Sequence, residues 1–305
     1  MTSARPESVA VSPERFAELV LDWYDQNARD LPWRRPEAGA WAVLVSEIML
    51  QQTPVARVIP AYHAWLSRWP TPAALAAVAP GEAVRAWGRL GYPRRALRLH
   101  ECAAAITERH GGEVPRDLDA LLALPGVGSY TARAVASFAY RQRHPVVDTN
   151  VRRLVARAII GDGDAGPPAT ARDLAAMEPL LPAEPAVAAR FAVAVMEVGA
   201  LVCTARSPRC GECPLFTECA WRRAGAPAYE GPVKRPQRYA GTDRQVRGLL
   251  LAVLRDSDRP VDQPQLDLVW PDAAQRARAL DGLVADGLVD PLPDGRFALP
   301  SRPPS

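Results

Sequence analysis

Four cysteines lie close together in the chain, with the spacing C-x6-C-x2-C-x5-C, at Cys203, Cys210, Cys213 and Cys219. The fifth cysteine, Cys102, follows an apolar helical pattern that predicts a small buried side chain. Thiols at this density are typical of a metal site. A single C-x2-C between two wider gaps favours a four-cysteine iron–sulfur cluster, with four-cysteine zinc and disulfides as the alternatives.

The segment WAVLVSEIMLQQT, residues 41–53, places Glu47 on an apolar helical face beside Val43, Leu44 and Leu50. Loss of hydration on such a face raises the pKa of a carboxyl group, so Glu47 could hold a proton and act as a general acid. A structural glutamate hydrogen-bonded in the core is the alternative. The segment ends with polar groups able to touch bases or sugars, at Gln51, Gln52 and Thr53.

The segment PVVDTNVRR, residues 145–153, brings Asp148 from a short apolar run to the start of a helix. An aspartate there is a good N-cap, which would be a structural role. Alternatively, the helix amides hold the carboxylate ionised so that it stabilises a cationic sugar. A proton-holding acid and an ionised carboxylate together are the two groups that break glycosidic bonds.

The segment LPGVGSYTA, residues 124–132, joins two helical patterns through a Pro-Gly-Val-Gly turn. Gly126 and Gly128 remove side chains where backbone N–H groups at the start of the next helix could approach a phosphate. A helix–hairpin–helix of this kind binds the DNA backbone without reading sequence. A plain tight turn is the alternative.

Positive charge is concentrated locally, although the formal net charge is only +3. Residues 84–100 contain five arginines, no acidic residue and interleaved aromatic side chains. This composition suits phosphate neutralisation and base stacking, or else a solvated arginine-rich helix. Arginines also flank the cysteines and indicate an anionic partner there, namely Arg206, Arg209, Arg222 and Arg223.

The elements that must position these residues are mainly α-helical. Apolar periodicity predicts helices over 13–27, 41–52, 55–68, 80–88, 94–110, 117–123, 129–141, 149–160, 170–181 and 185–202. A proline- and glycine-rich linker follows, and residues 243–300 then read as helix, short helix, helix and two strands, an order that resembles a winged helix. No window has the length of a signal-peptide core or a membrane span, so we expect a soluble intracellular protein.

Together these segments resemble the helix–hairpin–helix base-excision glycosylases that carry an iron–sulfur cluster, and most closely the MutY-type adenine DNA glycosylases. The motifs LPWR, SEIMLQQT, GYPRRALRLH, LPGVGSYTA, VDTNV and the cysteine loop occur in the family's order between about residues 20 and 225. The resemblance implies one 4Fe-4S cluster held by the four cysteines. It also implies a bacterial, cytoplasmic monomer that acts on double-stranded DNA containing adenine opposite 8-oxoguanine or guanine.

The resemblance assigns roles to individual residues. It implies that Glu47 protonates the adenine and then assists water, while Asp148 stabilises the oxocarbenium-like sugar, supported by Tyr130 and Asn150. The residues that fall where the family lines the adenine pocket are Trp33, Arg34 and Leu50. Those that fall where it wedges the duplex and touches the opposite base are Gln52, Thr53 and Tyr92. The hairpin that binds phosphate is formed by Gly126, Val127 and Gly128.

The family's architecture implies a mainly α fold of two domains with a cleft into which the target adenine is flipped. The expected divisions are a cluster domain of residues 1–31 with 143–228, a six-helix domain of 32–142, a linker of 229–242 and a winged-helix-like domain of 243–305. Family members that also cut the DNA backbone carry a lysine where Tyr130 lies. We therefore expect a monofunctional glycosylase.

The C-terminal part departs from the family. Typical relatives carry a β-rich domain that recognises 8-oxoguanine, and residues 243–300 are too short and too helical for it. This part adds either a second duplex contact or a module for packing or partner docking. Two other functions are open: a thymine or uracil mismatch glycosylase, which is not expected to carry a glutamate at position 47, and a non-catalytic DNA-binding protein with a structural or redox-sensing cluster.

Overall fold

The computed structural model describes residues 11–229, 231 and 239–301. Within them the chain forms fifteen α-helices and one two-stranded sheet, which confirms the predicted mainly α fold. The helices are α1 (Pro13–Asn27), α2 (Ala40–Leu50), α3 (Val55–Arg68), α4 (Pro72–Ala76), α5 (Pro80–Trp87), α6 (Arg94–Arg109), α7 (Leu118–Leu122), α8 (Ser129–Phe138), α9 (Thr149–Val155), α10 (Thr170–Met177), α11 (Pro185–Leu201), α12 (Ala220–Arg223), α13 (Asp243–Asp256), α14 (Gln263–Asp267) and α15 (Ala273–Ala285). The strands are β1 (Asp290–Pro291) and β2 (Phe297–Ala298).

Polar caps followed by proline set the start of several helices. Ser12 caps α1, as the sequence predicts. Thr71 caps α4, where its side chain accepts a hydrogen bond from the Ala74 N–H. This one-turn helix was not predicted, so residues 32–142, all of which the structure describes, hold seven α-helices instead of the expected six. A cap and a proline at the first position stabilise a turn that is too short to show apolar periodicity.

The predicted helix over residues 149–160 is α-helical in its first half and π-helical in its second. The α-helix α9 ends at Val155, and residues 156–160 form a π-helical turn in which the Gly161 N–H donates to the Ala156 carbonyl at 2.8 Å. Gly161 has a φ of +94°, a conformation that glycine adopts without steric cost. Turns of this kind occur frequently at functional sites, and this one carries Arg157.

The chain folds into two compact units, of which the first contains residues 1–43, 116–118 and 128–233. Among its described residues, the apolar faces of α1, α9 and α11 form one core. Phe16 and Phe191 lie at its centre in an edge-to-face contact with ring centroids 5.8 Å apart. The cysteine loop continues this core, because Cys203 and Cys219 are buried in it.

The second compact unit contains residues 44–115, 119–127 and 234–305. Three tryptophans anchor its core: Trp65 meets Trp69 at 4.7 Å and Trp87 at 5.7 Å, both edge to face. Helix α6 buries one face along its length, which includes Cys102, and burial raises the pKa of this thiol to about 12. The predicted burial of Cys102 is confirmed, and a buried thiol with a raised pKa reacts poorly.

Residues 243–300 form the C-terminal module of the chain. The module has the predicted element order, with α13, α14 and α15 followed by the antiparallel strands β1 and β2. An isolated bridge pairs Val261 with Phe297. The expected domain boundaries stay a prediction, and the linker expected at 229–242 falls largely outside the described residues. None of the helices in the described part of the chain is long and apolar enough to cross a membrane.

Candidate functional site

The four clustered cysteines line a single cavity with an empty volume of about 350 Å³, including its open mouth. No disulfide joins these four cysteines; Cys203 and Cys219 are buried, while Cys210 and Cys213 are partly buried. The loop turns tightly between them, since the Cys213 N–H donates to the Cys210 carbonyl at 3.1 Å. Four soft ligands around one cavity fit a cubane iron–sulfur cluster.

Basic and aromatic groups form the wall of this cavity. Arg157 Nη1 lies 3.5 Å from Cys203 Sγ, and the guanidinium carbon lies 4.9 Å from the centroid of the Trp221 ring. Burial raises the pKa of the Cys213 thiol to about 12, so metal binding there releases a proton. A nearby guanidinium favours the thiolate form that a metal needs.

Asp148 is the N-cap of α9. Its Oδ1 accepts hydrogen bonds from the backbone N–H groups of Asn150 and Val151 at 2.8 and 2.7 Å, and its Oδ2 accepts one from Asn150 Nδ2 at 2.7 Å. The capping geometry expected from the sequence is therefore present. Burial nevertheless raises the pKa of Asp148, and the three hydrogen bonds oppose that rise without cancelling it.

Asn150 connects Asp148 to the start of the cysteine loop. Its Oδ1 accepts from Arg153 Nη2 at 2.9 Å, and Arg153 also donates to the carbonyls of Gly199 and Cys203, each at 2.6 Å. Gly199 permits this close packing, because a Cβ there would lie 2.7 Å from the Asn150 carbonyl oxygen. Hydrogen bonds thus run without interruption from the Asp148 carboxylate to the backbone of a cluster ligand.

Glu197, on α11, is a buried carboxylate that the sequence did not single out. Its side chain is 0% exposed and accepts from the backbone N–H, Nε and Nη2 of Arg29 at 3.1, 2.8 and 2.7 Å, and from Arg34 Nη2 at 2.8 Å. Burial would raise its pKa, but the hydrogen bonds from the two arginines outweigh burial and lower the pKa to about 2. Glu197 therefore fixes Arg34, one of the predicted pocket residues.

The other predicted site residues of the first unit are Trp33, Arg34 and Tyr130. Trp33 is buried in the short 3-10 turn Pro32–Arg34. The Nη1 of Arg34 is buried and has no hydrogen-bond partner among the described residues, which leaves one donor for a ligand. Tyr130, near the start of α8, is partly buried and packs against the buried cluster of Ala134, Val146 and Ala192.

Glu47 lies in the middle of α2 and is only 5% exposed. Val43 and Leu44 are buried on the same helix, and Leu50 is partly buried at its end. Glu47 is therefore buried on a helix that also buries apolar side chains, as the sequence pattern predicted.

Two turns close to the end of α2 contain non-glycine residues with left-handed backbone. Gln52 has a φ of +56° and Tyr92 one of +48°, and Tyr92 is 51% exposed. Strained residues of this kind cluster at ligand contacts. The partly buried Arg95 holds both turns, with donations to the Gln51 carbonyl at 2.5 Å, Thr53 Oγ1 at 2.9 Å and the Gly91 carbonyl at 3.0 Å.

The predicted hairpin lies between α7 and α8. Gly126 has a φ of +74°, and a Cβ there would lie 2.7 Å from Arg98 Cβ, so only glycine fits. Val127 is buried beneath the turn. Gly128 is the N-cap of α8 and has open space where a Cβ would point, which leaves the positive end of α8 accessible to an anion.

Family models match two parts of this chain. The HhH-GPD superfamily of base excision DNA repair proteins matches residues 45–179. The iron–sulfur binding domain of endonuclease III matches residues 203–219, which include all four clustered cysteines. These cysteines hold a 4Fe-4S cluster, and the zinc and disulfide alternatives are set aside.

Solved structures share the fold. A thermostable thymine-DNA glycosylase is 26% identical, with a TM-score of 0.63 over 70% of this chain and 97% of that one. Endonuclease III in a non-covalent DNA complex is 23% identical, with a TM-score of 0.59 over 71% of this chain and 99% of that one.

Sequence relatives extend over nearly the whole chain. The adenine DNA glycosylase of Mycolicibacterium smegmatis is 62% identical over 92% of this chain and 94% of its own length. The adenine DNA glycosylase of Mycobacterium tuberculosis H37Rv is 57% identical over 97% of this chain and 98% of its own length. The human adenine DNA glycosylase is 42% identical, over 68% of this chain and 39% of its own length. This chain therefore belongs to the adenine DNA glycosylase family of helix–hairpin–helix base-excision repair proteins.

Proposed function

We propose that this chain is a monofunctional glycosylase that hydrolyses the N-glycosidic bond of adenine opposite 8-oxoguanine or guanine in duplex DNA. The observation that carries the proposal is the pair of carboxyl groups formed by the buried Glu47 in an apolar helix and the partly buried Asp148 at a helix N-terminus. Simple duplex binding requires neither of them. A DNA substrate also puts the protein at the nucleoid in the cytoplasm, where it acts as a monomer.

Glu47 has the role of general acid in this proposal. In this role the buried carboxyl group gives a proton to the leaving adenine, because a protonated purine departs more easily. The carboxylate left behind then accepts a proton from the attacking water. Trp33, Arg34 and Leu50 line the adenine pocket, and the buried free Nη1 of Arg34 is a donor for the base.

Asp148 has the role of stabilising the cationic sugar. Its charge is costly in the free protein, since burial raises its pKa. A developing oxocarbenium ion brings positive charge to a carboxylate whose hydrogen bonds all come from uncharged amides, so this interaction strengthens in the transition state. Asn150 orients the carboxylate through two hydrogen bonds, and Tyr130 supports the site from α8.

The remaining predicted residues bind the duplex. Gly126, Val127 and Gly128 present backbone N–H groups to a phosphate. Gln52, Thr53 and Tyr92 wedge the duplex and touch the base opposite the adenine. Cys203, Cys210, Cys213 and Cys219 hold the cluster, which when bound ties the loop of residues 203–219 together and keeps its arginines on one surface.

No amine stands where Tyr130 lies, so an imine with the sugar cannot form there. The expected product is an intact abasic site. A strand nick accompanied by a borohydride-trappable adduct would contradict the monofunctional assignment.

The test is single-turnover excision with adenine placed opposite 8-oxoguanine, guanine and cytosine, and with thymine opposite guanine. Glu47→Gln should lower adenine excision by about 10²–10⁴-fold while mispair binding persists. Glu108→Gln, at an exposed position on α6, is the matched control and should leave the rate unchanged. Full excision by Glu47→Gln would overturn the assignment, and faster release of thymine than of adenine would favour a thymine mismatch glycosylase.

A further inference from the structure

The C-terminal module carries the wrong charge for a DNA contact. Residues 243–300 contain seven arginines, ten aspartates and no lysine or glutamate, a formal charge of −3 in a chain whose net charge is +3. Some of these arginines are also neutralised within the module, as Arg276 is by Asp267 at 3.0 Å and Arg296 by Asp294 at 2.6 Å. Because phosphate binding requires excess positive charge, a second duplex contact through this module is disfavoured.

The module instead packs on α5, within the same compact unit. At the start of α5, the Gly81 N–H donates to the Pro300 carbonyl at 2.7 Å, and a Cβ at position 81 would lie 2.7 Å from the same oxygen. A further ion pair joins Arg94 of α6 to Asp286 at 3.2 Å. These contacts dock the module against the two helices on either side of residues 88–92.

Arg255, on α13, reaches the other end of α5. Its Nε donates to the Val84 carbonyl at 2.9 Å and its Nη1 to the Gly88 carbonyl at 2.5 Å. Arg85 donates in return to the Arg255 carbonyl. The last carbonyls of a helix need donors and form the negative end of its dipole, and one guanidinium supplies both a donor and a positive charge.

Gly88 begins a loop, residues 88–92, in which side chains hold four successive carbonyls. The Gly88 carbonyl accepts from Arg255, and the Arg89 carbonyl accepts from Arg57. The Leu90 carbonyl accepts from Thr53 Oγ1 at 3.2 Å. The Gly91 carbonyl accepts from both Trp87 Nε1 at 2.9 Å and Arg95 Nη2 at 3.0 Å. The loop leads to Tyr92, which is exposed and has a φ of +48°. Among these five donors, only Arg255 belongs to the C-terminal module.

We propose that Arg255 is a positioning residue through which the C-terminal module sets the choice of opposite base without touching DNA. Arg255 holds the start of loop 88–92, and the loop in turn presents Tyr92 to the base opposite the adenine. This inference rests on the proposed function, in which Tyr92 makes that contact.

The first measurement is amide hydrogen exchange of residues 88–92 in the cluster-loaded full chain without DNA. Arg255→Met removes two hydrogen bonds from a charged donor, and exchange of these amides should become about tenfold faster. Arg255→Lys keeps the charge with fewer donors and should fall in between. Arg259→Met, an exposed position on the same module, should leave exchange unchanged.

The second measurement is the ratio of single-turnover excision rates opposite 8-oxoguanine and opposite guanine. Arg255→Met should move this ratio about tenfold towards one, with Arg255→Lys partly restoring it and Arg259→Met leaving it unchanged. A residue that only stabilised the fold would change neither the ratio nor local exchange at a temperature well below unfolding. Thermal unfolding and the visible absorbance of the cluster establish that each variant is folded.

Unchanged exchange at residues 88–92 in Arg255→Met would overturn the inference. Faster exchange with an unchanged ratio would also overturn it, because the loop would then be held by Arg255 without serving base choice. In both outcomes the unsubstituted chain still excises adenine, so the proposed function stands. A chain that excises no adenine from any mispair is a different result, which overturns the proposed function and the inference together.

Discussion

Glu197 and Asp148, two carboxylates of the first compact unit, respond to burial in opposite ways. Glu197 accepts all its hydrogen bonds from Arg29 and Arg34, and its pKa falls to about 2. Asp148 accepts a similar number of bonds, but all from uncharged amides, and its pKa rises. Burial acts in the same direction on both, so the charge of the donors decides the outcome.

The difference separates a carboxylate that holds structure from one that is available for chemistry. The charge of Glu197 is already satisfied, and its effect is to fix Arg34. The charge of Asp148 is hydrogen-bonded but not neutralised, so a cationic group that arrives there gains more than it would beside Glu197. The proposed sugar cation is such a group.

Removal of the Glu197 charge should have the largest effect on stability. Glu197→Gln leaves two partly buried arginines without their counter-ion, and the free energy of unfolding should fall by about 3–5 kcal/mol. Denaturant unfolding of the cluster-loaded protein measures this. Glu184→Gln is the matched control, because Glu184 caps the same helix, is exposed and accepts from backbone amides alone. Equal losses in the two variants would remove the distinction between charged and uncharged donors.

Asp148→Asn should show the opposite pattern. Asparagine is also a good N-cap, so α9 keeps its start, and loss of a costly buried charge should leave the free energy of unfolding near neutral pH unchanged or higher. Adenine excision should fall by about 10²–10³-fold, since the stabilising charge is lost. Single-turnover kinetics and denaturant unfolding of the same samples test both parts. A large loss of stability would mean that Asp148 serves structure, as Glu197 does.

The dependence of the unfolding free energy on pH in the acid range tests the same comparison between Glu197 and Asp148. The pKa of Glu197 is about 2 in the folded chain against an ordinary value of 4.5, so its ionisation stabilises the fold above about pH 4.5. This contribution, about 3 kcal/mol, disappears as the pH falls from about 4.5 through 2. The difference in unfolding free energy between the unsubstituted chain and Glu197→Gln should therefore shrink in this window. A difference independent of pH would contradict the role of ionisation.

Asp148 changes the unfolding free energy with pH in the direction opposite to Glu197. Its raised pKa means that folding favours the protonated form, so its stabilising contribution is present at low pH and is lost as the pH rises above its ordinary value of 3.8. Asp148→Asn removes this dependence and should flatten the profile slightly in the acid range, where Glu197→Gln removes a slope of the opposite direction.

Sequence pattern was sufficient where the signal is local. The cysteine spacing, the Gly126 hairpin and the apolar face around Glu47 each lie within one short segment, and the structure has the expected local geometry at all three. The caps Ser12 and Asp148 were also predicted, since a cap is read from its immediate neighbours. The order of elements in the C-terminal module follows from the same local rules.

Long-range partners were not visible in the sequence. Glu197 is the one acidic residue of α11, whose other residues are apolar apart from Arg190, and its partners Arg29 and Arg34 are 168 and 163 positions away. Arg255 likewise gives no local sign that it caps α5, 167 positions earlier. Only a buried acid within an apolar helical pattern hints that a distant arginine must exist.

The two arginines that bind Glu197 should differ in function, and their substitution should give the smallest of the expected effects on stability. The Arg29 side chain donates two of the three side-chain hydrogen bonds to Glu197, so Arg29→Met should lower the free energy of unfolding by more than Arg34→Met, for which about 1.5–3 kcal/mol is expected. Arg34 also has the free buried Nη1, so only Arg34→Met should slow adenine excision under conditions where both variants remain folded. Unfolding measurements and single-turnover rates on both variants decide this, and equal excision by the two would leave Arg34 with the same holding role as Arg29 and no contact with the base.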